Sequence, residues 1–150
     1  MWMLWITTAA IAGFGSVVPF APIEPFLLAL GLVAPQSMLL PLALVATATH
    51  MAGKAVLYLG SGEATKLLSD RRQQAIERAR ARLSRHRRYQ YLTVFTSAIT
   101  GIPPFYAITV AAAMVKLPLL PFMALGTVGR ACRFIALVLA PQLLRLPVTS

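Results

Sequence analysis

Long uncharged apolar runs dominate this chain: no Asp, Glu, Lys or Arg falls within residues 1–23, 25–53 or 89–115. A bilayer's hydrocarbon core takes about 20 consecutive apolar residues per helical span, so these runs predict helices that live in lipid. Prolines fall in these runs as two groups, Pro19, Pro22 and Pro25 near the start and Pro103 and Pro104 further on. Proline fixes φ, lacks the N–H and clashes with the preceding turn, so the helix is expected to break at each group. The limbs beside the second break, residues 90–101 and 105–116, would each be about 18 Å long, short of a core about 30 Å thick. Neither limb spans, which predicts a re-entrant hairpin that enters and leaves on one face, and residues 4–34 read likewise. Broken backbone at that depth is tolerated only where protein buries it or a water-filled cavity receives it, so the hairpin tips point to a cavity.

A run that can cross follows each hairpin, residues 36–62 and 118–144, and each opens with prolines, Pro35 and Pro41 in one, Pro118 and Pro121 in the other. The order hairpin then span thus occurs twice. The expected fold is an all-α integral membrane domain over residues 1–150, built as an inverted repeat of two units. Residues 1–62 and 89–145 each supply a re-entrant helical hairpin followed by a transmembrane helix, and a basic amphipathic cytoplasmic helix in 63–88 joins them. Inverted repeats with broken helices are a transporter architecture whose substrate site lies near the midplane. Four kinked spanning helices are the competing topology, but they would leave the Pro19–Pro25 stretch with nothing to re-satisfy its backbone.

Composition agrees: the 150 residues are 58% hydrophobic, with mean hydropathy +0.73, which is membrane-class composition. The net charge of +10 changes the picture only through its placement. Nine of the fourteen basic residues are Lys66, Arg71, Arg72, Arg78, Arg80, Arg82, Arg85, Arg87 and Arg88, against Asp70 and Glu77 in the same stretch. Such an excess beside spans marks the cytoplasmic side. Leu68, Ile76, Ala79 and Leu83 recur at helical spacing, so Arg71, Arg72, Arg78, Arg82 and Arg85 are expected to meet anionic headgroups; a solvated linker that only sets topology is the plainer reading. Tyr89 is the single aromatic beside these arginines, too little for a nucleic-acid stacking platform. Cys132 is the only cysteine, so no internal disulfide forms, and it is expected to pack. With four acidic residues and two histidines there is no carboxylate dyad, Ser-His-Asp set or metal cluster, so neither enzymatic chemistry nor a cofactor is expected. The N-terminus, MWMLWITTAA, has no Lys or Arg ahead of its apolar run and so lacks the n-region of a secretory signal; it is expected to be retained.

Charges that fall inside the apolar runs are candidates for a site. Glu24 is the only acidic residue before Glu63 and sits in the first proline group, while Arg130 lies about 18 Å along the second span from Pro118. A charge at the bilayer centre costs about 2.5–3.5 kcal/mol even on lenient scales, so such residues should pair or face water. Glu24 is expected to share a cavity with Arg130 and Arg133, whose guanidinium groups offer paired donors to a phosphate or carboxylate; a purely structural Glu24–Arg130 bridge is the alternative. His50 could relay protons or simply pack. Lys54, four residues on, and Lys116 are expected to snorkel to headgroups. Trp2, Trp5 and Tyr58 suit interfaces, and Gly126 and Gly129 would allow close helix approach, including in a homodimer.

The run VVPFAPIEPFLLALG (17–31) resembles the proline and glutamate motif in the first re-entrant segment of the DedA superfamily, also called VTT-domain or SNARE-associated Golgi proteins. AGKAVLYLGSGEATKLL (52–68) is similar to the family's Gly...Tyr-x-Gly segment, GIPPFYAITVAAAMVKLPLLPF (101–122) to its second proline hairpin, and GRACRF (129–134) to the ending of its short YqaA-like branch. The resemblance covers residues 15–140 and matches Pro19, Pro22, Glu24, Pro103, Gly129, Arg130 and Arg133 to family positions. It implies a bacterial inner-membrane protein that moves a lipid, a phospholipid or polyprenyl phosphate, between leaflets, in some members coupled to protons. The chain departs from the family where a second acidic residue would precede Pro19, where an Asp would stand at Lys54, and where arginines would flank Pro103. A non-transporting membrane module that recruits partners or anionic lipid, and a small-solute or ion-coupled exporter, are the competing functions.

Overall fold

The computed structural model describes residues 1–18 and 23–144, without the side chains of residues 79, 80 and 82–84. The break expected at Pro19 and Pro22 lies outside the described residues, as does the side chain of Arg82. Among the described residues the structure is helical with no strand: α1 (Trp2–Val17), α2 (Ile23–Val33), α3 (Gln36–Ala64), a 3-10 turn (Thr65–Leu67), α4 (Asp70–Ser84), α5 (Arg87–Thr100), α6 (Phe105–Met114) and α7 (Leu119–Leu144). Residues Gln36–Leu67 and Leu119–Leu144 are long and apolar enough to cross a membrane, with mean hydropathies of 1.4 and 1.6.

Prolines punctuate helix starts. Pro35 and Pro104 are the N-caps of α3 and α6, and Pro25 stands in the first turn of α2, where its missing N–H would have had no partner within the helix. Helix ends are equally explicit. Gly101, at φ 77°, terminates α5 in the left-handed conformation, and its N–H bonds the Ser97 carbonyl at 2.8 Å. Lys116, at φ 53°, does the same for α6, with Lys116 N–H on Ala113 O at 3.1 Å and Leu117 N–H on Ala112 O at 2.9 Å, a Schellman turn.

The packing follows a crossed pattern. The first helix of each half lies on its own long helix, α1 on α3 and α5 on α7, whereas the second lies on the long helix of the other half, α2 on α7 and α6 on α3. The long helices α3 and α7 also pack together at the centre. One core cluster joins Leu27, Leu30, Leu39, Leu42, Phe134 and Val138; a second joins Met51, Val94, Ala98, Phe105 and Phe122. Large apolar side chains also cover the outside: Trp2, Met3, Phe14, Val33 and Leu120 are all exposed. Apolar exteriors of this extent are foreign to monomers in water, in keeping with the two span-length helices.

Close crossings depend on glycine. A Cβ on Gly31 of α2 would lie 2.3 Å from the Val138 carbonyl oxygen of α7, and one on Gly53 of α3 would lie 1.6 Å from Ser16 Oγ of α1. Gly126 faces Met51 and Phe105, and Gly129 faces Ala98; both glycines expected at a dimer interface are therefore spent on contacts inside the chain. Cys132, expected to pack, is exposed. The basic connection is also not one helix over 63–88: α3 runs to Ala64, and Arg87 and Arg88 open α5.

Gly31→Ala is expected to destabilise the fold by about 1–3 kcal/mol, because the atom it meets is backbone and cannot rotate away. Gly60→Ala, which meets nothing within 4 Å, is expected to stabilise by about 0.5–1 kcal/mol through helix propensity. Thermal unfolding of both variants in the same detergent checks the opposite signs.

Candidate functional site

A helix that stops inside an apolar environment leaves its last carbonyls without donors. Two cations on the long helices answer this need. Lys54 of α3, 2% exposed, donates from Nζ to Ser16 O in the last turn of α1 at 2.5 Å. Arg133 of α7 donates from Nη1 to Ile99 O in the last turn of α5 at 2.7 Å. Positive charge at a helix C-terminus also complements the dipole. The snorkelling expected of Lys54 is overturned: its carbonyl partner comes from a distant part of the chain and holds the ammonium inside.

Each of these cations reaches one more group, on the second residue of a short helix from the other half. Arg133 meets Glu24 of α2, with Nε at 2.9 Å and Nη2 at 2.5 Å from the same oxygen, Oε1. Lys54 meets Tyr106 of α6, its Nζ lying 5.3 Å from the ring centroid. The carboxylate thus pairs with Arg133 and not with Arg130, so the structural Glu24–Arg130 bridge does not form. The Glu24 side chain is 42% exposed and that of Arg133 20%, which places this pair at the edge of the bundle.

Arg130 points elsewhere than the shared cavity expected of the arginine pair. It is 7% exposed and its guanidinium lies 4.7 Å from the Phe105 centroid and 5.8 Å from that of Phe134. Its Nε is buried with no hydrogen-bond partner among the described residues. His50, 3% exposed, stands edge-on to the same Phe134 ring at 5.5 Å. A carbonyl can only accept, so the contact of His50 Nδ1 with Ala12 O at 3.2 Å puts a proton on Nδ1. Among the described residues Nε2 has no partner either, nor has the buried Thr8 hydroxyl one turn before Ala12. Buried polar atoms are ordinarily satisfied; Arg130 Nε and His50 Nε2 are left over beside the shared Phe134 ring where α3 packs on α7, and Thr8 Oγ1 is a third such atom on α1.

The remaining expectations divide. Pro103 and Pro104 do fall between helices, after Gly101 and before α6. Arg71, Arg72, Arg78 and Arg85 are exposed. Ile76 faces the bundle's end, lining a cleft with Gly62, Thr65, Met114 and Lys116, so the apolar side of α4 is partly taken up by protein. Tyr58, expected at an interface, hydrogen-bonds the Leu117 carbonyl beyond α6. No group of residues with metal-ligand character occurs among the described residues. Lys54 and Tyr106 were missed as site residues; the sequence signal was the Lys itself, placed mid-run where the family resemblance expects an acid. Set against protein-family models, curated proteins and solved structures, the chain matches none.

Removing Arg133 strands both Glu24 and the Ile99 carbonyl, so Arg133→Met is expected to cost about 2–3 kcal/mol. Glu24→Gln keeps an acceptor for the guanidinium and is expected to cost about 1 kcal/mol or less, since the carboxylate is partly exposed. Equilibrium unfolding in detergent gives the order; equal costs would show that Arg133 acts through the ion pair alone and that its bond to Ile99 is immaterial.

Proposed function

We propose that the chain is a membrane transporter of the DedA type that moves an anionic lipid, a phospholipid or polyprenyl phosphate, between bilayer leaflets. The observation that carries this reading is a charge imbalance: Lys54, Arg130 and Arg133 lie within or at the edge of the bundle against the single carboxylate of Glu24. Interior cations without counter-charges are costly, and a phosphate sliding past them would supply what the chain lacks. The crossed packing of α1, α2 and α3 with α5, α6 and α7 supports the inverted repeat, with each short helix pair forming a re-entrant hairpin from its own face. In this arrangement the headgroup moves through a cleft between the opposed hairpins while its tails remain in the bilayer. Arg130 meets the phosphate, Arg133 exchanges Glu24 for it, and Glu24 balances charge when the phosphate leaves, with a proton as its alternative partner. The excess of Lys and Arg in 66–88 sets that connection on the cytoplasmic side, as in a bacterial inner-membrane protein.

Liposomes with a fluorescent phospholipid in both leaflets, quenched from outside with dithionite, test the reading. Wild-type protein should raise the quenchable fraction above one half. Arg130→Gln should slow the approach about ten- to hundredfold, the loss of one or two charge-assisted hydrogen bonds in transit, since Arg130 makes no hydrogen bond among the described residues that the fold would miss. Folded wild-type protein that leaves half of the lipid protected for hours would refute lipid movement and leave the non-transporting module, whose exposed Arg71, Arg72 and Arg78 would then account for lipid contact. Flux of a small solute driven by a pH gradient without lipid movement would favour the exporter.

A further inference from the structure

The crossed packing draws α5 and α6 apart. α5 rests on α7 and α6 on α3, although only residues 101–104 separate them in the chain. The two are tied at that turn, where Ser97 Oγ donates to Pro103 O at 2.5 Å and the Ile102 N–H donates to Thr100 Oγ1 at 3.2 Å. Away from the turn a cavity of about 200 Å³ lies between them. One wall is the face of α5 that carries His86, Tyr89 and Thr93, and the other is the face of α6 that carries Ile108, Ala111 and Val115, each set at helical spacing. Tyr89, Thr93 and Ala111 are exposed as well as lining it, so the cavity is a groove open to the outside of the bundle. Its two ends differ in charge. Towards the turn its walls carry no ionisable group, whereas at the other end bases alternate with lining residues on both walls. Arg87 and Arg88 lie between His86 and Tyr89, Lys116 lies between Val115 and Leu117, and all three bases are exposed. The left-handed turn that ends α6 fixes Lys116 in this place. No Asp or Glu occurs in 78–150, so neither wall supplies a counter-charge. His86 and Tyr89, edge to face at 5.8 Å, stand where apolar wall gives way to bases, a depth that suits an aromatic ring with a polar tip.

We propose that the groove between α5 and α6 binds an anionic phospholipid, which lays one acyl chain along Ile108, Ala111 and Val115 and keeps its phosphate among Arg87, Arg88 and Lys116. An apolar slot that ends among bases is complementary to a molecule with an apolar tail and an anionic head, and water within such walls would lack hydrogen-bond partners. The lipid fills the space that crossed packing leaves between the two helices. Its phosphate end lies at the start of α5, the opposite end of that helix from Ile99, where Arg133 and Glu24 meet. It is therefore a resident of the fold and not the lipid in transit. The assignment rests on the membrane character of the chain and is independent of lipid movement.

Native mass spectrometry of the full chain in neutral detergent tests the assignment, with Tm measured in parallel. The probes are short-chain phosphatidylglycerol, phosphatidylcholine with the same chains, and glycerol phosphate, which has no chain. Wild-type protein should retain phosphatidylglycerol over phosphatidylcholine by about five- to thirtyfold, as one or two basic side chains near a headgroup supply. Its Tm should rise by about 2–4 °C with phosphatidylglycerol and stay unchanged with glycerol phosphate. Ala111→Phe and, from the opposite wall, Thr93→Phe fill the groove from exposed positions, and each should abolish retention and the Tm response; either folded variant decides. Replacing Arg87, Arg88 and Lys116 together by Gln should leave the lipid bound and remove the preference. Equal retention of both phospholipids by wild type, unchanged retention in a folded Phe variant, or a response to glycerol phosphate as large as that to phosphatidylglycerol overturns the proposal. So does a dimer that Ala111→Phe or Thr93→Phe dissociates, which would give the groove to a second copy of the chain. Retention without lipid movement in liposomes would sink the transport reading alone, and movement without retention would sink the groove alone.

Discussion

A cation from a long helix, donated to the last turn of an interrupted helix, is the interaction on which this structure depends. Short helices that end within an apolar bundle have C-terminal carbonyls that neither water nor a continuing helix can satisfy. Lys54 at Ser16 and Arg133 at Ile99 answer that need from α3 and α7. Backbone donors could not, because those of the long helices are already used within their own turns. A side chain must do it, and a charged one does so more strongly than a neutral one. Interruption of the helices and burial of positive charge are thus one design feature seen from two sides.

That feature also dictates the glycines. For Lys54 to reach Ser16, α1 and α3 must lie close, and Gly53, the residue beside Lys54, provides the approach by leaving room for the Ser16 side chain. Gly129 of α7 does the same against Ala98 of α5, one turn before Arg133. The glycines that looked free to mediate association between chains are committed to holding each short helix where its cap can find it. Gly101 adds to this at the other end, since a Cβ there would lie 3.3 Å from Arg133 Nη2; the left-handed turn that ends α5 and the room for its capping guanidinium come from one residue.

Helix boundaries were readable from local rules. Proline at helix starts, the glycine after Thr100 and the apolar run lengths place α3, α5, α6 and α7 within a few residues of where they lie, because each signal acts within a turn or two of itself. Partner choice was not readable. Lys54 reads as a snorkelling residue because a four-carbon stem can reach headgroups from that depth, and only the fold brings the Ser16 carbonyl to it. Glu24 and the two arginines read as interior charges, yet only Arg130 is buried while the Glu24–Arg133 pair lies at the bundle's edge, and which arginine takes the carboxylate is set by the crossing of α2 on α7. The difference between residues 130 and 133 is about 60° around a helix, enough to send one guanidinium to the edge and the other between Phe105 and Phe134.

Arg130 then carries the largest unsolved cost. Two aromatic faces offset part of the desolvation of a guanidinium, on the order of 2 kcal/mol in a dry setting, but they satisfy none of its five N–H donors. A leucine or methionine in the same place would pack against Phe105 and Phe134 at no such penalty, so stability alone does not account for an arginine there. The imidazole that shares the Phe134 ring compounds this: His50 Nε2 is equally without a partner among the described residues, and a neutral histidine offers Nε2 as an acceptor while an imidazolium would offer a donor. A donor-rich guanidinium beside an imidazole that can change role is suited to a group carrying several oxygens and, at times, a proton. In the transport reading Glu24 is the one carboxylate in contact with these cations, so any proton taken up during a cycle rests on Glu24, on His50 or on the phosphate itself. Only the first of these also frees Arg133.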